Sequence, residues 1–195
     1  MVLGMKTSMS GWREAGSLAA ALALAGCATT PPDVPNPAGL PPDALSFAYV
    51  LNQACIPYML GNASEAQVTQ RVGMRRFKLY SFPDPPPDIH QYVGRYPGVS
   101  ALNFDHGSCG VHVIGHRTGD YRRAVERVFA RRFGADYATK TVRGPPLVVP
   151  GQVQFCIGRV RYEYYPTYQS FQRRPGEEPS GYDVYMSPSD CERWR

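Results

Sequence analysis

The sequence predicts an α+β fold, in which an antiparallel sheet of about four or five strands carries about three helices on one face. In two long segments, apolar residues recur at spacings of three and four, which is typical of helices that bury one side. In a third segment, apolar and polar residues alternate around a His-Gly pair, which is typical of a β-hairpin. Four cysteines spread over the same region favour stabilisation by disulfides.

The N-terminal region carries a short processing signal. The apolar run Ala15–Ala25 ends in Leu24-Ala25-Gly26-Cys27 and is too short to span a bilayer as a helix. This lipobox resembles the site at which signal peptidase II cleaves bacterial lipoproteins before the cysteine that receives the lipid. The resemblance implies that residues 1–26 are removed and that Cys27 is the lipidated N-terminus of a cell-envelope protein. Ala28 after the cysteine indicates, by analogy with enteric sorting, the outer membrane facing the periplasm.

Charge restricts the classes of partner. The chain has 21 Lys and Arg against 16 Asp and Glu, a net charge of +5. Removing residues 1–26 takes away Lys6, Arg13 and Glu14 and leaves +4. This charge is too small for a nucleic-acid binder, and we expect none. The expected partners are the membrane, reached through the lipid, and an envelope protein, peptidoglycan or lipopolysaccharide. We expect no cofactor.

Three regions follow one another along the chain. Residues 1–26 form the predicted signal peptide. Residues 27–42 contain a proline every few positions and no apolar periodicity, which is typical of an extended tether. Residues 43–195 are long enough for one domain with a hydrophobic core.

Three helices are expected in this domain. The first begins at Asp43 as N-cap, and Pro57 bends or ends it. The second has Ser64 and Gln67 at capping-box spacing and ends at Gly73. The third covers Asp120–Phe133, and its polar side carries four arginines that form either a solvated face or a candidate anion-binding face: Arg122, Arg123, Arg127 and Arg131.

The expected strands surround one hairpin. It covers Val99–Ile114 and turns at His106-Gly107, which places Asp105 opposite Ser108, Phe104 opposite Cys109 and Leu102 opposite Val111. Other segments are assigned from alternation and turn residues: a strand at Arg76–Phe82, a loop at Pro83–Gly98, a strand at Val153–Tyr164 with a bulge at Gly158, and a last strand at Tyr182–Met186.

With Cys27 assigned to the lipid, four cysteines remain, and they allow three pairings. None has the C-x-x-C spacing of a redox or zinc site. Cys55 lies on the inward side of the first helix and Cys109 on the inward side of the hairpin, so we expect these two to be joined. The second expected disulfide is Cys156 with Cys191, which fixes the C-terminal tail.

Two sequence patterns are candidates for a catalytic site or a metal site. Gly107-Ser108-Cys109-Gly110 resembles the G-x-C-G nucleophile motif of chymotrypsin-like cysteine proteases, which implies a Cys-dependent hydrolase. The hairpin, however, turns Cys109 towards the core. His112 and His116 are four apart, and on a strand this spacing separates them by ~13 Å, so we expect no metal site.

Two further patterns concern binding. Tyrosines concentrate in Arg161–Tyr168, where Tyr162 and Tyr164 share the core-side phase and Tyr165 and Tyr168 remain for stacking on a glycan or peptide. The segment Gln67-Val68-Thr69-Gln70-Arg71-Val72-Gly73 resembles the Q-V-x-x-x-[LV]-G helix of BamE-type outer-membrane assembly lipoproteins.

The function expected from these patterns is that of a lipid-anchored envelope lipoprotein with a non-enzymatic binding or structural domain. Two alternatives stay open. One is an inhibitor of lysozyme or a protease that uses the loop Pro83–Gly98, since binding surfaces often lie on long loops. The other is an envelope hydrolase that depends on His or Cys.

Overall fold

The fold is α+β, as the sequence predicts, with more elements than expected. A computed structural model describes residues 39–77, 89–115, 118–138, 151–168 and 177–189. Within these ranges seven strands form one antiparallel sheet in the order β1-β2-β3-β4-β7-β6-β5, where four or five were expected. Four helices accompany the sheet in place of three, and they share one hydrophobic core with it.

Helix α1 is continuous but changes its hydrogen-bond pattern in the middle. It consists of an α-helical part at Pro42–Val50, a π-helical turn at Leu51–Cys55 and a second α-helical part at Ile56–Met59. Of the two outcomes expected at Pro57, a bend or an end, the helix does not end there, since it continues to Met59. The wider π turn ends two residues before this proline, which has no N–H to donate, and π turns accommodate such interruptions.

The start of α1 also differs from the expectation. The N-cap is Pro41, with extended backbone and no side-chain cap, and Asp43 lies within the first turn. Pro42 takes the first helical position, where its missing N–H costs nothing. Leu40 is already buried, so the folded unit includes residues before Asp43.

Helix α2, Glu65–Arg71, has the predicted capping box: the Ser64 hydroxyl accepts from the Gln67 N–H, and Gln67 Oε1 accepts from the Ser64 N–H at 2.8 Å. Helix α3, Thr118–Phe133, covers the predicted segment and buries its apolar stripe. Gly134 follows with φ 50°, a conformation that favours glycine, and α4 covers Ala135–Ala138.

The predicted hairpin is confirmed residue by residue. Strands β3, Ala101–Asp105, and β4, Ser108–Ile114, pair with Phe104 opposite Cys109 and Leu102 opposite Val111. His106 and Gly107 form the turn with positive φ, as a two-residue hairpin turn requires.

Of the two segments predicted before the hairpin, the strand is described only in part and the loop is wrong. Strand β1 is Arg75–Phe77, so it begins one residue before the predicted Arg76. Residues 78–88, which include the rest of the predicted strand, lie outside the described ranges. The predicted loop Pro83–Gly98 contains strand β2, Ile89–Val93, which joins β1 to β3. The sequence of β2, IHQYV, has two polar residues next to each other, so it lacks the strict apolar–polar alternation that identifies a strand from sequence.

The predicted bulge at Gly158 is also wrong. The chain forms a second hairpin there, from β5, Val153–Ile157, to β6, Val160–Thr167, with Gly158 in the turn at φ 60°. The last strand, β7, is Gly181–Pro188 and pairs with both β4 and β6.

The core beneath α3 is aromatic. The ring of Phe129 lies 5.4 Å from Phe155 and 5.5 Å from Tyr162, and both partners are fully buried. On the other side of the core, the disulfide between Cys55 and Cys109 joins α1 to β4 across a Cα distance of 5.4 Å. Within the described ranges, none of the helices combines the length and apolarity required to cross a bilayer.

Candidate functional site

One side of the sheet carries none of the described helices, and we call it the open sheet face. Residues that pair directly across an antiparallel sheet point to the same side. The strand registers therefore align one row of side chains over five strands and a second, shorter row beside it: Asn103, Gly110, Tyr185, Glu163 and Gln154 in the first, and Ala101, His112, Asp183 and Tyr165 in the second.

His112 and Asp183 form an ion pair at the centre of this face. Nδ1 of His112 is hydrogen-bonded to Oδ1 of Asp183, and both side chains are half-buried. This hydrogen bond raises the pKa of His112 above its ordinary value, although burial acts in the opposite direction.

The raised pKa of His112 predicts a pH-dependent stability. Because the folded-state pKa lies above the unfolded value near 6.5, the pair stabilises the fold fully below pH ~6.5 and loses this effect as pH rises through the folded pKa. We expect Asp183→Asn to lower the free energy of unfolding by about 0.5–1 kcal/mol at pH ~5.5, a small value because the pair is partly exposed, and by less at pH ~8.5. Urea unfolding at both pH values measures this. An equal loss at both pH values would contradict the assignment.

Two tyrosines flank the pair. Burial raises the pKa of Tyr165 to about 12, with further contributions from the charges of Asp183 and Glu163 and from Tyr185, so these groups lie within electrostatic reach of one another. A Cβ placed on Gly110 would lie 3.1 Å from a carbon of the Tyr185 ring. Glycine at position 110 thus lets this ring approach strand β4.

Polar groups continue the site across β6 and β5. Glu163 Oε1 accepts from Gln154 Nε2 at 2.5 Å, and Arg161 Nε lies 3.0 Å from the same oxygen. Asn103 Oδ1 and Ser187 Oγ are buried and have no hydrogen-bond partner within the described part of the chain. On the open sheet face, the partly exposed groups that a polar ligand can reach are therefore the rings of Tyr165 and Tyr185 and the pair of His112 and Asp183.

A second polar cluster, which the sequence analysis missed, joins α2 to β2. Glu65 Oε1 accepts from the Tyr92 hydroxyl at 2.6 Å and lies 2.7 Å from Nδ1 of His90. His90 and Tyr92 have the i, i+2 spacing that places side chains on one side of a strand. This spacing is the signal in the sequence. It indicates a shared side only if residues 89–93 form a strand, whereas the sequence analysis assigned them to a loop.

Three of the five cysteines lie within the described residues. Cys55 and Cys109 form the expected disulfide, and both are fully buried. Cys109 is thus not available as a thiol nucleophile, so the resemblance of Gly107–Gly110 to a cysteine protease does not correspond to a catalytic site. Cys156 is disulfide-bonded as well. Cys191 and the predicted lipidation site Cys27 lie outside the described residues.

The four predicted arginines lie on α3 and are exposed. Arg122 Nε donates to Glu126 at 2.9 Å, and Arg123 forms an ion pair with Asp120, both within the same helix. Arg127 and Arg131 continue the row towards the end of the helix. None of the four contributes to the open sheet face, because α3 packs on the opposite side.

His116, for which the sequence predicts no metal-binding role, lies outside the described residues. Within the part of the chain that the structure describes, no group of three or more His, Cys, Asp or Glu side chains is arranged to hold a metal ion. Comparison of the chain with protein-family models, curated proteins and solved structures finds no match.

Proposed function

We propose that this protein is a lipid-anchored lipoprotein of the bacterial cell envelope whose domain is a non-enzymatic binding module. The anchor is supported by the lipobox Leu24–Cys27 and by the proline-rich tether that follows it. The observation that carries the binding role is the open sheet face, where Tyr165 and Tyr185 flank the pair of His112 and Asp183.

The chemistry of this face favours a glycan, and we propose the sugar strands of peptidoglycan as its ligand. Tyrosine rings offer apolar surface against which sugar rings pack, and their hydroxyls remain available for hydrogen bonds. The partly exposed pair of His112 and Asp183 supplies a donor and an acceptor for the hydroxyl and N-acetyl groups of such strands.

Sedimentation with purified peptidoglycan tests this role. We expect Tyr165→Ala/Tyr185→Ala to reduce the apparent affinity at least about tenfold, because aromatic side chains at the centre of an interface dominate binding energies. The matched control is Arg122→Gln/Arg123→Gln on α3, which we expect to bind within about twofold of wild type. Thermal melting checks that each variant is folded.

Two outcomes would contradict the proposed ligand. One is that the wild-type protein does not sediment with peptidoglycan. The other is that the tyrosine variant binds normally while the arginine variant loses binding, which would transfer the ligand to α3.

A further inference from the structure

Burial is uneven along the open sheet face. At one end, Ile114 is 73% exposed, and it lies on the same side of β4 as His112, two residues before it. At the other end, Gln154 on β5 is 6% exposed and Ser187 on β7 is 7% exposed. Glutamine and serine side chains are mostly exposed in proteins. Their burial indicates a cover over this end, which we call the buried end, and none of the described helices lies on this side of the sheet.

Cys156 belongs to the buried end. It lies two residues after Gln154 on β5 and pairs with Arg161 on β6, which pairs in turn with Ser187 on β7. Residues at these positions point to the same side, so the sulfur of Cys156 is directed over the open sheet face and not into the core. Cys156 is disulfide-bonded. Its partner cysteine therefore reaches it from this side of the sheet.

Cys191 is the available partner. Apart from the disulfide that joins α1 to β4, the chain has three cysteines, and in the proposed anchor the sulfur of Cys27 carries the lipid. The described chain ends at Ser189, whose N–H donates to the Arg159 carbonyl at 2.9 Å, in the turn that joins β5 to β6. The Cα of Cys191 is two residues further on, at most about 7 Å away. This distance and a disulfide together span the two strand spacings, about 10 Å, that separate β7 from β5.

We propose that the C-terminal segment, residues 190–195, docks on the buried end of the open sheet face and is held there by a disulfide between Cys156 and Cys191. The bond forms when the two thiols lose two protons and two electrons to a disulfide of the oxidising envelope, which is reduced to two thiols. The segment contains one large apolar side chain, Trp194, three residues after Cys191. Its indole ring is the group of the segment that gains most from burial.

The docked segment limits the ligand site of the proposed function. It occupies the buried end and leaves the end at which Ile114, His112 and Asp183 are at least partly exposed. The docking itself needs no glycan, so it goes beyond the proposed ligand. It rests on the proposed anchor at one point, the assignment of the lipid to Cys27.

Trp194 reports on the docking. The chain has two tryptophans, and Trp12→Phe leaves Trp194 as the single one whether or not the signal peptide is removed. In this background we expect the full-length protein, purified from membranes, to emit at a shorter wavelength than in urea and to resist quenching by acrylamide. Gln154→Lys is expected to shift the emission towards that of the unfolded chain, because an ammonium group is costly to bury beneath the indole ring. The matched control is Gln70→Lys at an exposed position of α2, which we expect to leave the emission unchanged.

Two further measurements separate the bond from the docking. Non-reducing peptide mapping is expected to find Cys156 joined to Cys191. Cys156→Ser/Cys191→Ser, which changes no residue of the hydrophobic core, is expected to increase the quenching of Trp194. Thermal melting checks that each variant is folded.

Three results would overturn the proposal: a bond between Cys156 and Cys27, a wild-type emission equal to that in urea, or an equal shift in the two lysine variants. An unlipidated Cys27 together with a bond between Cys156 and Cys191 would contradict the anchor alone. The failures of the two proposals are therefore distinguishable.

Discussion

Cys27→Ala is expected to abolish attachment of the protein to the membrane. In lipoproteins the acyl chains on this cysteine hold the chain in the bilayer, at ~0.8 kcal/mol per buried CH₂ group, which makes release negligible. The variant has no acceptor for the lipid, so we expect an uncleaved precursor or a soluble chain. Fractionation of cells into membrane and soluble parts measures the loss, with radiolabelled palmitate as the reporter of acylation.

The control for this prediction is Cys156→Ala, which changes a cysteine that is not part of the lipobox. It is expected to keep the label and the membrane location. Retention of palmitate by the Cys27 variant, or partial release of the wild-type protein by salt, would contradict the anchor. Separation of the inner and outer membranes on a density gradient then tests the location, and we expect the protein in the outer-membrane fraction.

Cys55→Ala/Cys109→Ala is expected to lower the free energy of unfolding by about 4 kcal/mol. The bond closes a loop with a sequence separation of 54, and in the chain-entropy model a loop of this length restricts the unfolded chain by about that amount. Urea unfolding of the oxidised proteins measures the difference. Ser108→Ala, beside Cys109 in β4, is the control and is expected to change stability by less than about 1.5 kcal/mol. A loss below about 1 kcal/mol in the double variant would show that this bond does not contribute as proposed.

Local patterns were sufficient for the parts of the fold that depend on neighbouring residues. The turn residues His106 and Gly107 determine the register of the first hairpin. This register directs the side chain of Cys109 towards the core, where it faces α1. The disulfide then followed, because Cys55 falls on the apolar side of the helix. Alternation likewise placed Tyr162 and Tyr164 in the core, where both are buried.

The second hairpin shows why strand counting failed. The apolar positions change from Phe155 and Ile157 to Val160 and Tyr162. A bulge shifts the apolar positions along a strand by one residue. A two-residue turn produces the same shift, because it pairs residue i with residue i+3, and paired residues face the same side of the sheet. The sequence pattern is identical in the two cases. The pairing of Ile157 with Val160 shows that the chain forms a turn and not a bulge.

The open sheet face depended on contacts between distant residues. The sequence placed His112 opposite Ala101, which the register confirms, but its partner Asp183 is 71 positions away. That contact requires β7 to pair with β4, and local alternation contains no information about which strands become neighbours. Tyr165 was correctly assigned to the outer phase, whereas its position beside Asp183 required the same long-range pairing.

The most direct test of the proposed lipoprotein is the mass of the N-terminal peptide of the protein purified from bacterial membranes. The proposal predicts that the mature chain begins at Cys27 and that this residue carries the added mass of a diacylglyceryl group. A chain that retains residues 1–26, or one that begins with an unmodified Cys27, would contradict it.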